Sequence, residues 1–355
     1  MMRLPLQPDQ VLKDVLDFNR KIARGVLALR DVGDVEVGLT PKEAVYREDK
    51  MVLYRYRTTV DKPARTPLLI VYALVNRPYM ADLQDDRSII RNLLDHGEDI
   101  YLIDWGYPDG ADRYLELNDY INRYLDHCVQ YICKAHRLSR INLLGICQGG
   151  TFSLCYTALH PERVANLVTM VTPVDFHTSN NVLSDWAREL DVDLLIDTVG
   201  NVPGELLNWT FLSLKPFRLT GQKYADMADI MDEPEKLKNF LRMEKWIFDS
   251  PDQAGEAFRQ FVKLFYQQNR LVTGGLEIGG REVSLKQVTV PVLNVYATQD
   301  HLVPQESSIA LERHVGTRDY STIAFPGGHI GIYVSARAQK EVHPAVARWL
   351  QERSS

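Results

Sequence analysis

Cys147, Asp300 and His329 are the residues of this chain whose types and spacing suit covalent chemistry on an acyl group. Cys147 stands in Gly145-Ile146-Cys147-Gln148-Gly149. Before it, Arg140-Ile141-Asn142-Leu143-Leu144 reads as a buried strand; after it, Gly150 to Leu159 reads as a helix. A nucleophile on a tight strand-to-helix turn between small residues is the nucleophile-elbow pattern, here with cysteine in place of the usual serine. The elbow's partners should follow in the order acid, then histidine, each past the end of a strand. Asp300 stands in Ala297-Thr298-Gln299-Asp300-His301 after an apolar run, and His329 ends Phe325-Pro326-Gly327-Gly328-His329 after the last one.

The roles follow from the side chains. A free thiol titrates near pH 8.5, so only a few per cent is thiolate at neutral pH. His329 is the candidate base, and Asp300 can orient it and stabilise its charged form. The oxyanion of an acyl-transfer intermediate needs two backbone N–H donors. Gln148, next to the nucleophile, should supply one. The loop Leu74-Val75-Asn76-Arg77-Pro78 should supply the other, with Val75 the choice and Asn76 close behind. His301 should support Asp300 from behind, because adjacent side chains rarely converge on one point. A thiolate attacking a thioester makes another thioester of similar free energy, so the acyl group stays activated. Cysteine therefore hints at transfer from a coenzyme A thioester to an alcohol.

These residues need a sheet to hold them. Met51 to Thr58 alternates and reads as an outer antiparallel strand. Pro67 to Leu74 is a nearly continuous apolar run, as a central parallel strand requires. Ser88 to Leu94 reads as a helix, Asp99 to Trp105 as a strand and Asp119 to Ala135 as a long helix. After the elbow come Val164 to Val171, Val290 to Ala297 and Tyr320 to Phe325 as strands, then a helix from Gln339 to Glu352. This alternation argues for an α/β-hydrolase fold: a mostly parallel sheet with right-handed crossovers. The alternation breaks between residues 178 and 287, where the chain is mainly helical and rich in aromatics. That stretch reads as an inserted cap. The core is then 36–177 with 288–355, preceded by an amphipathic helical segment in 1–35. Gly274-Gly275 and Gly279-Gly280 bracket a hairpin around Leu276 to Ile278. Trp209 and Trp246 in the cap are expected to be core residues.

The 355 residues are 45% hydrophobic and 25% charged, enough to bury a full core. A net charge of −6 gives no global footprint for nucleic acid. No run of eighteen apolar residues predicts a transmembrane helix, and Met1 to Pro8 lacks a signal-peptide core, so a cytoplasmic protein is expected. Cys128, Cys133 and Cys155 form no metal-ligand pattern and are expected to be buried small hydrophobes. No metal or resident cofactor is implied.

Longer stretches carry a resemblance. Tyr72-Ala73-Leu74-Val75-Asn76-Arg77-Pro78-Tyr79-Met80, Tyr101 to Gly106, Asn142 to Gly150, Pro203-Gly204-Glu205-Leu206-Leu207-Asn208-Trp209, Asp300-His301-Leu302-Val303-Pro304 and Gly327-Gly328-His329-Ile330-Gly331 are the stretches concerned. On them the chain resembles, nearly end to end, the catalytic subunit of class III polyhydroxyalkanoate synthases, the two-subunit type of purple sulfur bacteria. The resemblance implies polymerisation of (R)-3-hydroxyacyl-CoA, chiefly 3-hydroxybutyryl-CoA, with release of CoA carried in by the substrate. It places the nucleophile on Cys147, the base on His329 and the acid on Asp300. In that family the acid is also held to activate the substrate 3-hydroxyl, and the residues do not choose between the two roles. It further implies a noncatalytic second subunit of the PhaE type, a homodimer of the catalytic subunit, and residence on polymer granules. The similarly sized class IV synthases share the motif, which leaves the partner's class open. Two rival readings remain: an acyl-CoA thioesterase or ester hydrolase on the same fold, marked by free hydroxy acid as product, and an inactive granule-surface scaffold, marked by a broken triad.

Overall fold

The computed structural model describes residues 34–215, 223–230 and 233–353. The helical segment expected in 1–35 lies outside them, apart from its last two residues. Eight strands form one sheet: β1 (Lys42–Glu48), β2 (Met51–Tyr56), β3 (Leu68–Val71), β4 (Ile100–Asp104), β5 (Ile141–Ile146), β6 (Val164–Met170), β7 (Val292–Ala297) and β8 (Tyr320–Phe325). Their spatial order is β1-β2-β4-β3-β5-β6-β7-β8. The β1–β2 and β2–β4 pairs are antiparallel and the others parallel.

β3 and β5 are buried at every position; β3 therefore reads as an unbroken apolar run, and β5 admits one polar residue, Asn142, whose Oδ1 accepts from Asn166 Nδ2 at 2.9 Å. β1 is the edge, and its charged Lys42, Glu43, Arg47 and Glu48 gave no alternation to read. The sheet is covered on both faces. On one, α2 (Asp126–His136) and α3 (Gln148–Leu159) bury Val129, Ile132, Phe152 and Leu154. On the other, α1 (Ile89–Asp95) buries Ile90, Leu93 and Leu94. Each such side chain contributes about 1.5–3 kcal/mol. Ser88 caps α1 by accepting from Arg91 N–H at 2.9 Å. The long helix expected from Asp119 starts as a wider π-type stretch over Asp119–Leu125 before becoming α2.

Between β6 and β7 the chain forms helices: α4 (Val182–Glu189), α5 (Val192–Val199), α6 (Gly204–Ser213), α7 (Lys223–Ile230), α8 (Pro234–Phe248) and α9 (Gly255–Phe261). This insertion has a small core of Val192, Ile196, Val202, Leu207 and Val262, and Val75 packs against it. Trp246 is buried as expected, but Trp209 is 63% exposed. α6 turns Gly204, Leu207 and Asn208 inward, which leaves Trp209 facing out. The glycine-bracketed hairpin is present, with Leu276–Ile278 pairing antiparallel to Arg281–Val283. Cys128, Cys133 and Cys155 are free and buried. Among the described residues no helix is long and apolar enough to cross a membrane.

Glu98, two residues before β4, is an uncompensated cost of this fold. It is fully buried, and neither carboxylate oxygen meets a donor among the described residues. Burial, with the Asp99 charge beside it, pushes Glu98 up to about 7. The folded state therefore holds a proton that the unfolded state releases from about pH 4.5 upward, and stability falls as pH rises from there through 7. Glu98→Gln should flatten that fall and raise stability at pH 8 by roughly 1–3 kcal/mol. Denaturant midpoints at pH 5 and pH 8 measure it; equal midpoint changes at both would refute the assignment.

Candidate active site

Cys147 joins β5 to α3 with φ 54° and ψ −124°, a conformation costly for a residue with a side chain. The turn stays in register because Cys147 N–H donates to Met170 O at 2.9 Å and Gly150 N–H to Cys147 O at 2.9 Å. Gly149 must be glycine, since a methyl there would strike the Val71 carbonyl at the end of β3. The strain thus raises the thiol above the sheet at the mouth of the fold, half-buried rather than enclosed.

Asp300 sits in the turn after β7 and His329 in the loop after β8. Backbone bonds tie the two loops together: Thr298 N–H donates to Phe325 O and Gln299 N–H to Gly327 O. The Asp300 side chain is fully enclosed and that of His329 is 5% exposed. Asp300 Oδ1 accepts from Leu302 N–H at 2.8 Å and Val303 N–H at 2.9 Å, while Oδ2 accepts from His329 Nδ1–H at 2.7 Å. At Nε2 the Tyr333 hydroxyl lies 3.1 Å away, and Cys147 is near enough for its charge to act on the ring. Burial pushes the imidazole down, but Asp300, the negative charge of Cys147 and the hydrogen bonds to both outweigh it and raise His329 to about 10. The predicted nucleophile, base and acid therefore converge. His301 is half-buried beside Asp300.

The loop after β3 lies across from the elbow. Leu74 N–H donates to Gln148 Oε1 at 3.0 Å, locking loop and elbow together. Among the described residues the Val75, Asn76 and Gln148 N–H groups meet no protein acceptor. Asn76 has φ 60° and points its amide into the insertion, donating to Ser250 Oγ at 2.8 Å. Gln253 Nε2 donates to Leu74 O at 3.0 Å, and Trp246 Nε1 donates to Arg77 O at 2.9 Å. The insertion therefore grips the loop at several consecutive residues. Gln253→Ala should lower kcat by about 10-fold or more with little change in KM, since small misplacements of such donors are costly. A KM change with kcat intact would mean that Gln253 acts on binding only.

Three tyrosines feel the charge of the thiol. Tyr72 and Tyr333 are buried and pushed well above the ordinary phenol range, first by burial and then in part by the Cys147 charge; Tyr266 is raised by the same two causes. Sequence reading did not single them out. Among the described residues no cluster of His, Cys, Asp and Glu could hold a metal ion.

The family model described as alpha/beta hydrolase fold matches residues 66–336, and one described as the poly-beta-hydroxybutyrate polymerase (PhaC) N-terminus matches 17–93. A poly(3-hydroxyalkanoate) polymerase subunit PhaC from Thiocystis violacea is 61% identical over 355 residues, covering all of both chains. This chain belongs to the PhaC family. The PhaC subunit of Allochromatium vinosum is also 61% identical, over 99% of this chain and 100% of its own, and that of Synechocystis sp. is 53% identical over 97% and 94%. Among solved structures, a monoacylglycerol lipase from Paleococcus ferrophilus superposes with a TM-score of 0.55 at 17% identity, covering 85% of this chain and 99% of its own. A hydrolase from Pseudomonas aeruginosa PA01 gives 0.53 at 15%, covering 88% and 99%. These last two speak for the fold alone. The alignments with these PhaC relatives span Cys147, Asp300 and His329 together.

Proposed function

We propose that this chain, a PhaC-family acyltransferase, polymerises (R)-3-hydroxyacyl-CoA, chiefly 3-hydroxybutyryl-CoA, through a thioester on Cys147. The observation that carries the reading is a thiol, rather than a hydroxyl, on the elbow facing a carboxylate-held imidazole, in a chain matched end to end by PhaC subunits. His329 Nε2 takes the Cys147 proton, and the sulfur attacks the thioester carbonyl. The oxyanion lies against the Gln148 and Val75 N–H groups. The C–S bond to CoA breaks, and CoA leaves with the proton from His329. The hydroxyl of a second monomer or growing chain then attacks the Cys147 thioester. Its proton passes to Nε2, a C–O bond replaces the C–S bond, and Cys147 recovers the proton.

Asp300 serves this cycle by holding His329. Both its oxygens are engaged and its side chain is enclosed, so a substrate hydroxyl would have to displace His329 or two backbone donors to reach it. That favours His329 as base in both half-reactions. The chemistry requires no resident cofactor. The same reading includes a noncatalytic second subunit, a dimer of this chain and residence on polymer granules in the cytoplasm. The exposed Trp186, Leu194, Leu206 and Trp209 of the insertion suit apolar contacts of that kind.

The test is thiol release from (R)-3-hydroxybutyryl-CoA by the purified chain, with and without a second subunit, with polymer assayed in parallel. Thiol release with polymer is expected, faster with the second subunit. Release with only free hydroxy acid would make this a thioesterase, and no release in either case would refute the enzyme.

A further inference from the structure

His329 has a second partner at the nitrogen that must serve Cys147. The Tyr333 hydroxyl lies 3.1 Å from Nε2, and the two rings meet edge-on at 88° with centroids 5.7 Å apart. Tyr333 is 1% exposed. Its position is built, not incidental. It lies on α10 (Gly331–Val334), four residues beyond the base. The following helix, α11 (Ala336–Gln351), clamps consecutive carbonyls of α10: His343 Nε2–H donates to Ile332 O at 3.0 Å and Gln339 Nε2 to Tyr333 O at 2.8 Å. The Gln339 carbonyl is in turn held by Asn92 of α1 at 2.8 Å.

The imidazole has one in-plane site left once Nδ1–H is given to Asp300. The Tyr333 hydroxyl lies at it, and the Cys147 sulfur is close enough to act on the same ring. While Cys147 carries an acyl group it has neither a proton to give nor the charge that helps hold a second proton on the ring, and Tyr333 O–H is then the protein donor next to Nε2. We propose that Tyr333 is a positioning residue that occupies Nε2 of His329 whenever Cys147 does not, and so keeps the base from activating water. This rests on the reading that Cys147 carries the acyl group. A stray water must displace a fixed hydrogen bond to reach Nε2. The hydroxyl of a bound chain arrives at high effective concentration and can do so. The device would thus favour ester formation over hydrolysis. The groups facing the base are Asp300 at Nδ1 and Cys147 and Tyr333 at Nε2, with Tyr72 and Tyr266 on the thiol side and His343 behind α10.

Tyr333→Phe in the full chain tests this with two readouts. The first needs no substrate: the rate of Cys147 alkylation by iodoacetamide against pH, the site confirmed by mass. Loss of a donor that favours neutral Nε2 should move the profile to lower pH by roughly half to one unit, the worth of one neutral hydrogen bond. The second is the ratio of free 3-hydroxybutyrate to polymer, expected to rise roughly 3–10-fold, the loss of a hydrogen bond in the same range. An unchanged profile and ratio in a folded variant would leave Tyr333 as packing only. A shift to higher pH would also overturn the proposal, because the hydroxyl would then be accepting from the imidazolium. Should the phenylalanine variant not fold, 3-fluorotyrosine at 333 keeps the shape and donates more strongly; its profile must move to higher pH, and no movement refutes the role. Failure of the underlying reading looks different: wild-type turnover would survive loss of Cys147.

Discussion

Cys147→Ala should lower CoA release from (R)-3-hydroxybutyryl-CoA by at least about 10⁴-fold and leave no polymer, since removing the nucleophile of such a triad leaves only binding and oxyanion stabilisation. The fold should survive. Cys147 contributes no core contact comparable to Phe152 or Leu154, and alanine tolerates the elbow no worse than cysteine does. An unchanged thermal midpoint checks this. Cys147→Ser extends the test. The oxygen nucleophile is far less ionised beside the same imidazole, and the acyl group it accepts becomes an ordinary ester. Turnover should therefore fall by at least about 10²-fold, and the residual product should shift toward free hydroxy acid. A serine variant that still made polymer at near wild-type rate would show that thioester energetics are not why cysteine stands here. Turnover retained by the alanine variant would place the chemistry elsewhere in the chain.

The parts legible in the sequence were those fixed by local physics. β3 and β5 announced themselves because both their faces are buried, and the elbow because its glycines answer steric demands, Gly149 at Val71 and Gly145 at Gly150 and Ser153. Asp300 and His329 were singled out by their order along the chain and by their strand ends, and the structure brings their side chains to 2.7 Å of each other. The parts not legible depend on distant partners. Gln253 reaches Leu74 across 179 residues, and nothing near it in sequence hints at the loop after β3. β1 is polar on a solvated edge and so carries no apolar alternation. Trp209 defied its hydrophobicity because which face of α6 is covered depends on neighbours, not on the residue. Tyr333 is an intermediate case. Its spacing of four from His329 is one helical turn, a signal that was present but had no meaning until α10 was known to begin beside the base.

His329→Gln should separate the imidazole's role as base from its role in stability. At pH 7 Cys147 alkylation should fall by about 10²-fold, the lower end of what a positioned base contributes by taking a proton. Above pH 9 the two proteins should converge, because hydroxide then does what the imidazole did. CoA release should fall further, by about 10⁴-fold or more, since the same Nε2 is needed in both half-reactions. The stability profile has its own sign. His329 is raised from 6.5 to about 10 by Asp300 and Cys147 against the pull of burial. The folded state therefore binds the proton more tightly than the unfolded state does, and that stabilisation is complete below about pH 6.5 and lost as pH rises through 10. Wild type should lose ground against the glutamine variant across that window in denaturant midpoints taken at pH 6, 8 and 10. Equal alkylation rates at pH 7 would remove His329 as the base, whatever the midpoints do. Parallel midpoints with slowed alkylation would keep the base but deny that the folded site holds the extra proton. Only the combination expected here joins the buried Asp300–His329 pair to the reactivity of the thiol.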